Sequence, residues 1–249
     1  MLVSITHNNH QYTSDLMRPI DISIPIKSGG VGAWNMPDVS ISPVSLDGWI
    51  GDVEAGSAVN FNNILFNPHA HATHTECLGH ITKDKESLNN ELRQFFFIAK
   101  LISIMPKKHN KDCVITRSII DQKLLKNENI DALVIRTLPN TENKISKNYS
   151  NTNPPFLLKS AAEHIANLNI KHLLIDLPSV DREKDEGKLS AHKAFWGLPA
   201  QKRNGSTITE LIYVPNEVAD GYYLLNLQFV PFQNDASPSR PLLFELQKK

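Results

Sequence analysis

The sequence has few cysteines, no excess of charge of either sign and no long apolar run. Cys77 and Cys113 are its only cysteines, and they form no Cys-x-x-Cys pair. A disulfide framework is therefore not expected, and the cysteine content fits a reducing compartment. The 26 basic and 26 acidic side chains cancel, so no bulk field would attract nucleic acid or an anionic membrane. We expect neither to be a partner.

Two further absences concern membranes and export. The longest apolar stretch, Phe95 to Met105, is interrupted by Lys100 and is far shorter than the roughly 20 residues that span a bilayer. Residues 1–18 contain polar and charged side chains where a secretory signal would have its apolar core. These features predict a cytoplasmic protein. With 249 residues, 41% of them hydrophobic, the chain is expected to form a single domain over residues 1–249.

The second half of the chain alternates helical and strand patterns, which predicts an α/β fold. The apolar spacing predicts helices from Thr116 to about Lys126 and from Pro155 to about Leu168. Short apolar runs predict the strands Leu133–Ile135, Leu173–Ile175, Thr207–Val214 and Tyr222–Val230.

One short segment contains an unusually high density of potential metal-ligating side chains. Between Asn67 and His80 lie four of the ten histidines and one carboxylate, namely His69, His71, His74, His80 and Glu76. Imidazoles and carboxylates are the usual protein ligands of Zn²⁺ and Mn²⁺, and these ions activate water for hydrolysis near neutral pH. The segment therefore predicts a metal site.

The spacing of these residues predicts an extended strand. His74, Glu76 and His80 have the same parity, so they would project from one face of a strand. His69 and His71 have the opposite parity, and a one-residue bulge would be needed to bring one of them to that face. Parity alone does not choose between these two histidines.

The segment resembles the metal-binding motif of the cyclase family of metal-dependent hydrolases, which reads His-x-Gly-Thr-His-x-Asp-x-Pro-x-His. Thr73–His80 matches the second half, with Glu76 in place of the Asp and Leu78 in place of the Pro. In the first half, Ala72 stands in place of the Gly. If one residue is inserted, His69 takes the place of the first His, which is the same bulge that parity requires. His71 is the alternative.

The resemblance extends along most of the chain. Further matching segments follow in the family's order: Ile175–Asp181, then His192, Ile208–Leu211 and Ala236–Arg240. The resemblance implies a swivelling β/β/α fold around a central mixed, barrel-like sheet. It also implies one or two divalent ions per chain, Zn²⁺ or Mn²⁺.

The resemblance further implies a set of site residues. One ion would be held by His69 or His71 together with His74 and Glu76, and a second by Glu76, His80, His192 and Glu210. His192 and Glu210 are also the candidates for moving protons. Glu210 lies in an otherwise apolar strand pattern, where an unpaired carboxylate would be unfavourable. Asp176 is a candidate for orienting a ligand imidazole.

The implied activity is metal-assisted hydrolysis of an amide or a related carbonyl bond in a small molecule. The reference reaction is that of the family's best-known member, bacterial kynurenine formamidase, which removes the formyl group of N-formylkynurenine in tryptophan breakdown. The alternatives are a metal-dependent cyclase or dehydratase, a lactam or lactone hydrolase, and a non-catalytic metal-binding protein. We expect a homodimer or a homotetramer.

Overall fold

The computed structural model describes residues 1–125 and 129–248, and it has the predicted mixed α/β composition. Its strands are β1 (Leu2–His7), β2 (His10–Asp15), β3 (Ile20–Asp21), β4 (Ser40–Pro43), β5 (Ser45–Leu46), β6 (Trp49–Ile50), β7 (Asn62–Leu65), β8 (His74–Glu76), β9 (Phe96–Ile104), β10 (Lys107–His109), β11 (Asp112–Ile115), β12 (Ala132–Thr137), β13 (Phe156–Leu157), β14 (His172–Ile175), β15 (Thr207–Glu210), β16 (Gly221–Asn226), β17 (Ala236–Pro238), β18 (Leu242–Glu245) and β19 (Gln247–Lys248). Its α-helices are α1 (Leu88–Glu91), α2 (Arg117–Asp121), α3 (Lys159–Asn167) and α4 (Ser190–Phe195). Leu78–Ile81 and Glu142–Ile145 form 3₁₀ helices.

A nine-stranded sheet organises the fold, in the order β17-β8-β15-β14-β12-β9-β16-β18-β3. The four strands from β15 to β9 are mutually parallel, and the strands on either side of them pair antiparallel. The sheet is mixed and curls into a half-barrel. The predicted fold class is therefore confirmed.

Both faces of the central strands are buried, as expected for a parallel sheet. Along β12, Leu133 and Ile135 pack with the core that includes α3 and α4, whereas Ala132 and Val134 face a second apolar cluster. Helix α3 contributes Ala162 and other apolar side chains to the first core. This double burial explains why the central strands have continuous apolar sequences.

The two predicted helices are present but shorter. Helix α2 starts after Thr116 as predicted but ends at Asp121; the predicted end at Lys126 lies outside the described residues. Pro155 does not open a helix, because Phe156–Leu157 first pairs in parallel with β11. Because this short strand comes first, α3 begins only at Lys159.

The predicted strands after Ile130 are all present, although two of them end early. The Thr207–Val214 strand stops at Glu210, because Leu211 adopts a left-handed backbone conformation with φ 54°. The Tyr222–Val230 strand runs over Gly221–Asn226. In the described part of the chain, no helix is long and apolar enough to cross a membrane.

Candidate metal centre

Strand β8 presents His74 and Glu76 on one face, as the two-residue period of a strand predicts. It lies between β15 and β17, and the antiparallel register places Glu210 opposite His74. All three side chains are buried. Glu210 Oε2 is 3.4 Å from His74 Nε2. The structure thus brings Glu210 from a distant part of the sequence to the histidine-rich segment.

His69 reaches the same face from a turn, so the predicted one-residue strand bulge is wrong. Residues 68–73 form turns and bends before β8 begins, and the backbone amides of Ala70 and His71 both donate to Asn67 O. Ala72 has φ 66°, a left-handed conformation that glycine adopts without strain. This is the position where the family motif has its glycine.

One hydrogen bond and one ion-pair contact distinguish the two candidate histidines. The backbone amide of Asn67 donates to His71 Nδ1 at 2.9 Å. His69 instead points toward the carboxylates, with its Nδ1 3.0 Å from Glu76 Oε2. Among the described residues, candidate ligand atoms converge in three groups, and His69 belongs to two of them whereas His71 belongs to none.

His80 does not extend the strand, contrary to the parity argument. Strand β8 ends at Glu76, and His80 lies in the 3₁₀ helix Leu78–Ile81. Its Nε2 is nevertheless 3.9 Å from Glu76 Oε2, and its ring stacks on that of His69 with centroids 4.2 Å apart. His80 therefore reaches the site from a 3₁₀ helix and not from the strand that parity predicted.

His192 approaches Glu76 from helix α4 on the other side. Its Nε2 is 3.0 Å from Glu76 Oε1, and its Nδ1 donates to Asp181 Oδ2 at 2.7 Å. Asp181 also accepts hydrogen bonds from the backbone amides of Ala191 and His192 at the start of α4. Sequence reasoning did not assign a role to Asp181, although it is the last residue of the family-like Ile175–Asp181 run.

Asp235 is a second carboxylate that sequence reasoning missed. It precedes β17, and its Oδ2 lies 2.8 Å from His69 Nε2 and 3.3 Å from His80 Nδ1. The only signal in the sequence is its position directly before the family-like Ala236–Arg240 segment.

Asp176, by contrast, does not orient a site imidazole. Its Oδ2 accepts a hydrogen bond from Lys144 Nζ at 2.8 Å and one from the backbone amide of Thr137 at 2.8 Å. The imidazole-orienting role proposed for Asp176 is filled by Asp181.

The surrounding charges shift the pKa values of two imidazoles strongly. Burial alone would lower the pKa of His69, but the hydrogen bond to Asp235 and the Glu76 carboxylate raise it to about 10. Burial opposes protonation of His192 too, and Asp181 and Glu76 raise its pKa to about 10. Burial would raise the pKa of Glu76, yet the neighbouring histidines hold it well below its usual range. The site therefore favours bound positive charge.

Two buried atoms at the site have no hydrogen-bond partner, and their chemistry indicates which kind of positive charge the site would bind. Nδ1 of His74 donates to Ala72 O at 3.2 Å, which leaves the Nε2 lone pair facing the carboxylates. His74 Nε2 and Glu76 Oε2 are both buried without a hydrogen bond, although Glu210 Oε2 lies 3.4 Å from the first and His69 Nδ1 lies 3.0 Å from the second. A divalent cation suits a lone pair and a carboxylate oxygen that face each other. The donor set thus fits a metal ion.

The candidate ligand atoms form overlapping groups. Within each group the ligand atoms lie within 4.8 Å of one another. The first group is His69, His74 and Glu76, and the second is Glu76, His80 and His192. The third is His69, His80 and Asp235. Glu76 belongs to the first two groups, so its carboxylate lies between two potential metal positions.

The "Cyclase" family model matches residues 20–182 of this sequence. The chain belongs to the cyclase family. No curated protein matches it. Among solved structures, a potential metal-dependent hydrolase with cyclase activity is 19% identical, with a TM-score of 0.64 over 92% of this chain and 98% of the other. A predicted metal-dependent hydrolase from Bacillus stearothermophilus is 20% identical, with a TM-score of 0.63 over 91% and 98%.

A further similar structure is isatin hydrolase A from Labrenzia aggregata, at 14% identity. Its TM-score is 0.63 over 91% of this chain and 93% of the other. At these identities the likeness shows a shared cyclase-family fold. The match of the family model to residues 20–182 confirms, at the level of the family, the resemblance inferred from the motifs.

A cavity of about 290 Å³ opens onto the site of this cyclase-family chain. Besides His69, His80, His192 and Glu210, it is lined by Trp34, Met36, Asn67 and Ser179. The indole Nε1 of Trp34 donates to His69 O at 3.1 Å, which fixes an aromatic wall beside the carboxylates. A larger cavity of about 1120 Å³ lies elsewhere, between α3 and α4, and contains none of the predicted site residues.

Proposed function

We propose that this chain is a metal-dependent hydrolase that cleaves an amide or related carbonyl bond in a small molecule. The observation that carries the proposal is the pair of buried atoms that make no hydrogen bond, His74 Nε2 and Glu76 Oε2, beside an open cavity. A site that only stores metal would be closed, whereas a catalytic site keeps a position open. The cavity favours a catalyst over a storage protein.

The ligands that we propose come from three parts of the chain. One ion would be held by His69, His74 and Glu76. A second would share Glu76 with His80, His192 and Glu210. Zn²⁺ and Mn²⁺ both suit this combination of imidazoles and carboxylates. When bound, such an ion lowers the pKa of a coordinated water and polarises a carbonyl group.

His192 and Glu210 would have different roles in the reaction. Both ring nitrogens of His192 are engaged, by Asp181 and by Glu76, which suits a fixed ligand rather than a proton carrier. Glu210 lines the cavity, and the backbone amide of Val180 donates to its Oε1 at 2.9 Å. With that oxygen held, Oε2 of Glu210 is the better-placed acceptor for a proton released at the cavity.

The cavity and its neighbours suggest the substrate class. Its volume suits a small ligand, and Trp34 offers a face for a planar ring. An N-formyl aromatic amide, as in the arylformamidase reaction on N-formylkynurenine, fits these features. A cyclic amide is the second candidate, because isatin hydrolases share this fold at TM-scores of 0.62 and 0.63.

The test is a screen of metal-replete protein against N-formyl aromatic amines, cyclic imides, lactams and lactones. We expect turnover of an amide that requires the metal and is abolished by chelation. Dehydration or cyclisation without hydrolysis would favour the alternative cyclase or dehydratase activity. Metal binding without turnover in any class would favour the non-catalytic alternative.

A further inference from the structure

The cavity of about 1120 Å³ between α3 and α4 has a strongly basic lining. Of the described residues that line it, six are basic and one, Glu163, is acidic. The basic residues are Lys159, Lys171, Lys188, Lys193, Lys202 and Arg203. We call it the basic cavity.

This concentration of positive charge is local. The sequence has 26 basic and 26 acidic side chains. The six cations and one acid at the cavity therefore leave 20 basic and 25 acidic side chains for the rest of the chain. A concave basic lining on an otherwise acidic protein attracts anions, because its low-dielectric walls focus the field.

Half of the six cations have no acidic partner. Carboxylates pair with the other three: Lys159 with Glu163, Lys188 with Glu186, and Lys202 with both Asp84 and Glu86. Within the described part of the chain, no carboxylate pairs with Lys171, Lys193 or Arg203. The ammonium of Lys193 donates to a neutral acceptor, the backbone oxygen of Lys188, at 2.7 Å. The charge of these three side chains is therefore available to a ligand.

The uncompensated charge also acts on the neighbouring His172, which is buried. Burial and then the charges of Lys171 and Arg203 lower the pKa of His172 to about 3. Burial lowers the pKa of the Arg203 guanidinium as well. An anion in the cavity would favour the charged form of Arg203 and offset the positive potential.

One wall of the basic cavity is the loop that follows α4, and its conformation is fixed. Gly197 has φ 73°, and a Cβ there would lie 2.1 Å from Gln201 O, so only glycine fits this turn. Arg203 fastens the loop to the body, because its guanidinium donates to Phe195 O at 2.6 Å and to Ile170 O at 2.7 Å. Walls held in this way reduce the cost of ordering the protein when a ligand binds.

The neutral lining groups indicate which kind of anion fits. Asn167, Asn169, Gln201 and Asn204 offer amide groups, which donate and accept the hydrogen bonds that ligand hydroxyl groups need. None of the described residues that line the cavity is aromatic, so a nucleobase would have no ring to stack on. Lysine and arginine are the usual side-chain partners of phosphate. A phosphorylated polyol therefore suits the lining better than a nucleotide.

We propose that the basic cavity binds a small polyol that carries two or more phosphate groups, held by Lys171, Lys193 and Arg203. Two phosphate monoesters, each with a charge of about −1.5 to −2 near pH 7, match these three cations. Lys193 directly follows His192 on α4, so the ligand would contact the helix that carries a histidine of the metal centre. The inference does not depend on the proposed hydrolase activity.

Calorimetric titration of the full-length protein with fructose 1,6-bisphosphate tests the proposal. We expect binding that weakens as salt is raised, and at least about 10-fold weaker binding of fructose 6-phosphate, which has one phosphate group. The Lys171→Gln/Lys193→Gln variant should bind the bisphosphate at least about 10-fold more weakly, because it loses two charge-assisted contacts. The matched control is Lys107→Gln/Lys108→Gln, which replaces two exposed lysines of β10; it should bind like the wild type.

Hydrogen exchange of the wild-type protein locates the probe without any variant. Amides of residues 197–206 should exchange more slowly when the bisphosphate is saturating, and those of β10 should not change. Absence of binding, equal affinity for fructose 6-phosphate, equal affinities of the cavity variant and the wild type, or an unaffected loop would each overturn the proposal. An oligonucleotide that binds more tightly than the bisphosphate and loses affinity in the cavity variant would also overturn it, in favour of a nucleic-acid site.

Discussion

Asp181 accepts a hydrogen bond from His192 Nδ1 at 2.7 Å and so leaves Nε2 of the same ring facing Glu76. Asp235 holds His69 in the corresponding way, but on the opposite ring nitrogen, so that Nδ1 faces Glu76. Carboxylates that fix the orientation of ligand imidazoles in this way increase metal affinity. Glu76 thus lies between two imidazoles that are each oriented by a carboxylate.

We therefore expect Asp181→Asn and Asp235→Asn each to weaken metal binding by about 10- to 100-fold, because the imidazole loses its charged acceptor. Competition with a chromophoric chelator measures the change. Asp121→Asn is the matched control, since Asp121 pairs with His164 at 2.6 Å on the surface. Equal affinities for all three variants and the wild type would show that the two carboxylates are not positioning residues.

His69 and His71 should differ sharply in their effect on the metal. His69→Gln removes a nitrogen that faces Glu76, and we expect metal affinity to fall by at least about 10-fold. His71→Gln retains an oxygen that can accept the Asn67 amide hydrogen bond, and we expect affinity near that of the wild type. Circular dichroism checks the fold of both. The reverse ranking would make His71 the ligand.

Metal loading should release protons. The pKa values of His69 and His192 are about 10 without metal, so both rings are protonated near pH 7.5, and both must lose a proton to coordinate an ion. We expect about two protons per chain on saturation with Zn²⁺, and affinity that rises with pH between 6 and 9. Titration calorimetry in buffers of different ionisation enthalpy measures the release. Binding without proton release would contradict the assigned ligands.

Glu210→Gln should keep the fold and lower turnover. A glutamine oxygen can still accept the hydrogen bond from Val180, but the negative charge beside His74 is lost. We expect kcat to fall by about 10- to 100-fold on whichever substrate the wild type hydrolyses. Glu91→Gln is the control, because Glu91 also accepts a backbone hydrogen bond, from Gly205, outside the site. Unchanged turnover and metal content in Glu210→Gln would make Glu210 structural.

The sequence predicts local features of the site better than its long-range contacts. The two-residue strand period correctly places His74 and Glu76 together on β8. It fails for His80, because the strand is only three residues long and a 3₁₀ helix follows. The predicted bulge fails because Ala72 adopts a left-handed conformation within a turn, and parity rules do not apply to turns.

Asp181 and Asp235 could not be assigned from spacing, because tertiary packing alone brings them to His192 and His69. The same limit applies to the fold. The buried central strands are recognisable from their apolar runs, whereas Phe156–Leu157 is a strand only because β11 lies beside it. The prediction of a single domain over residues 1–249 stays a prediction.

The central claim is that Glu76 lies at the middle of a metal centre, and metal content measures it most directly. Elemental analysis of protein loaded with Zn²⁺ or Mn²⁺ and then desalted should give one or two ions per chain for the wild type and for Glu86→Ala, whose carboxylate pairs with Lys202 outside the site. Glu76→Ala should lose at least one of these ions. A wild-type protein that retains no metal, or a Glu76→Ala variant that retains as much as the wild type, would contradict the account.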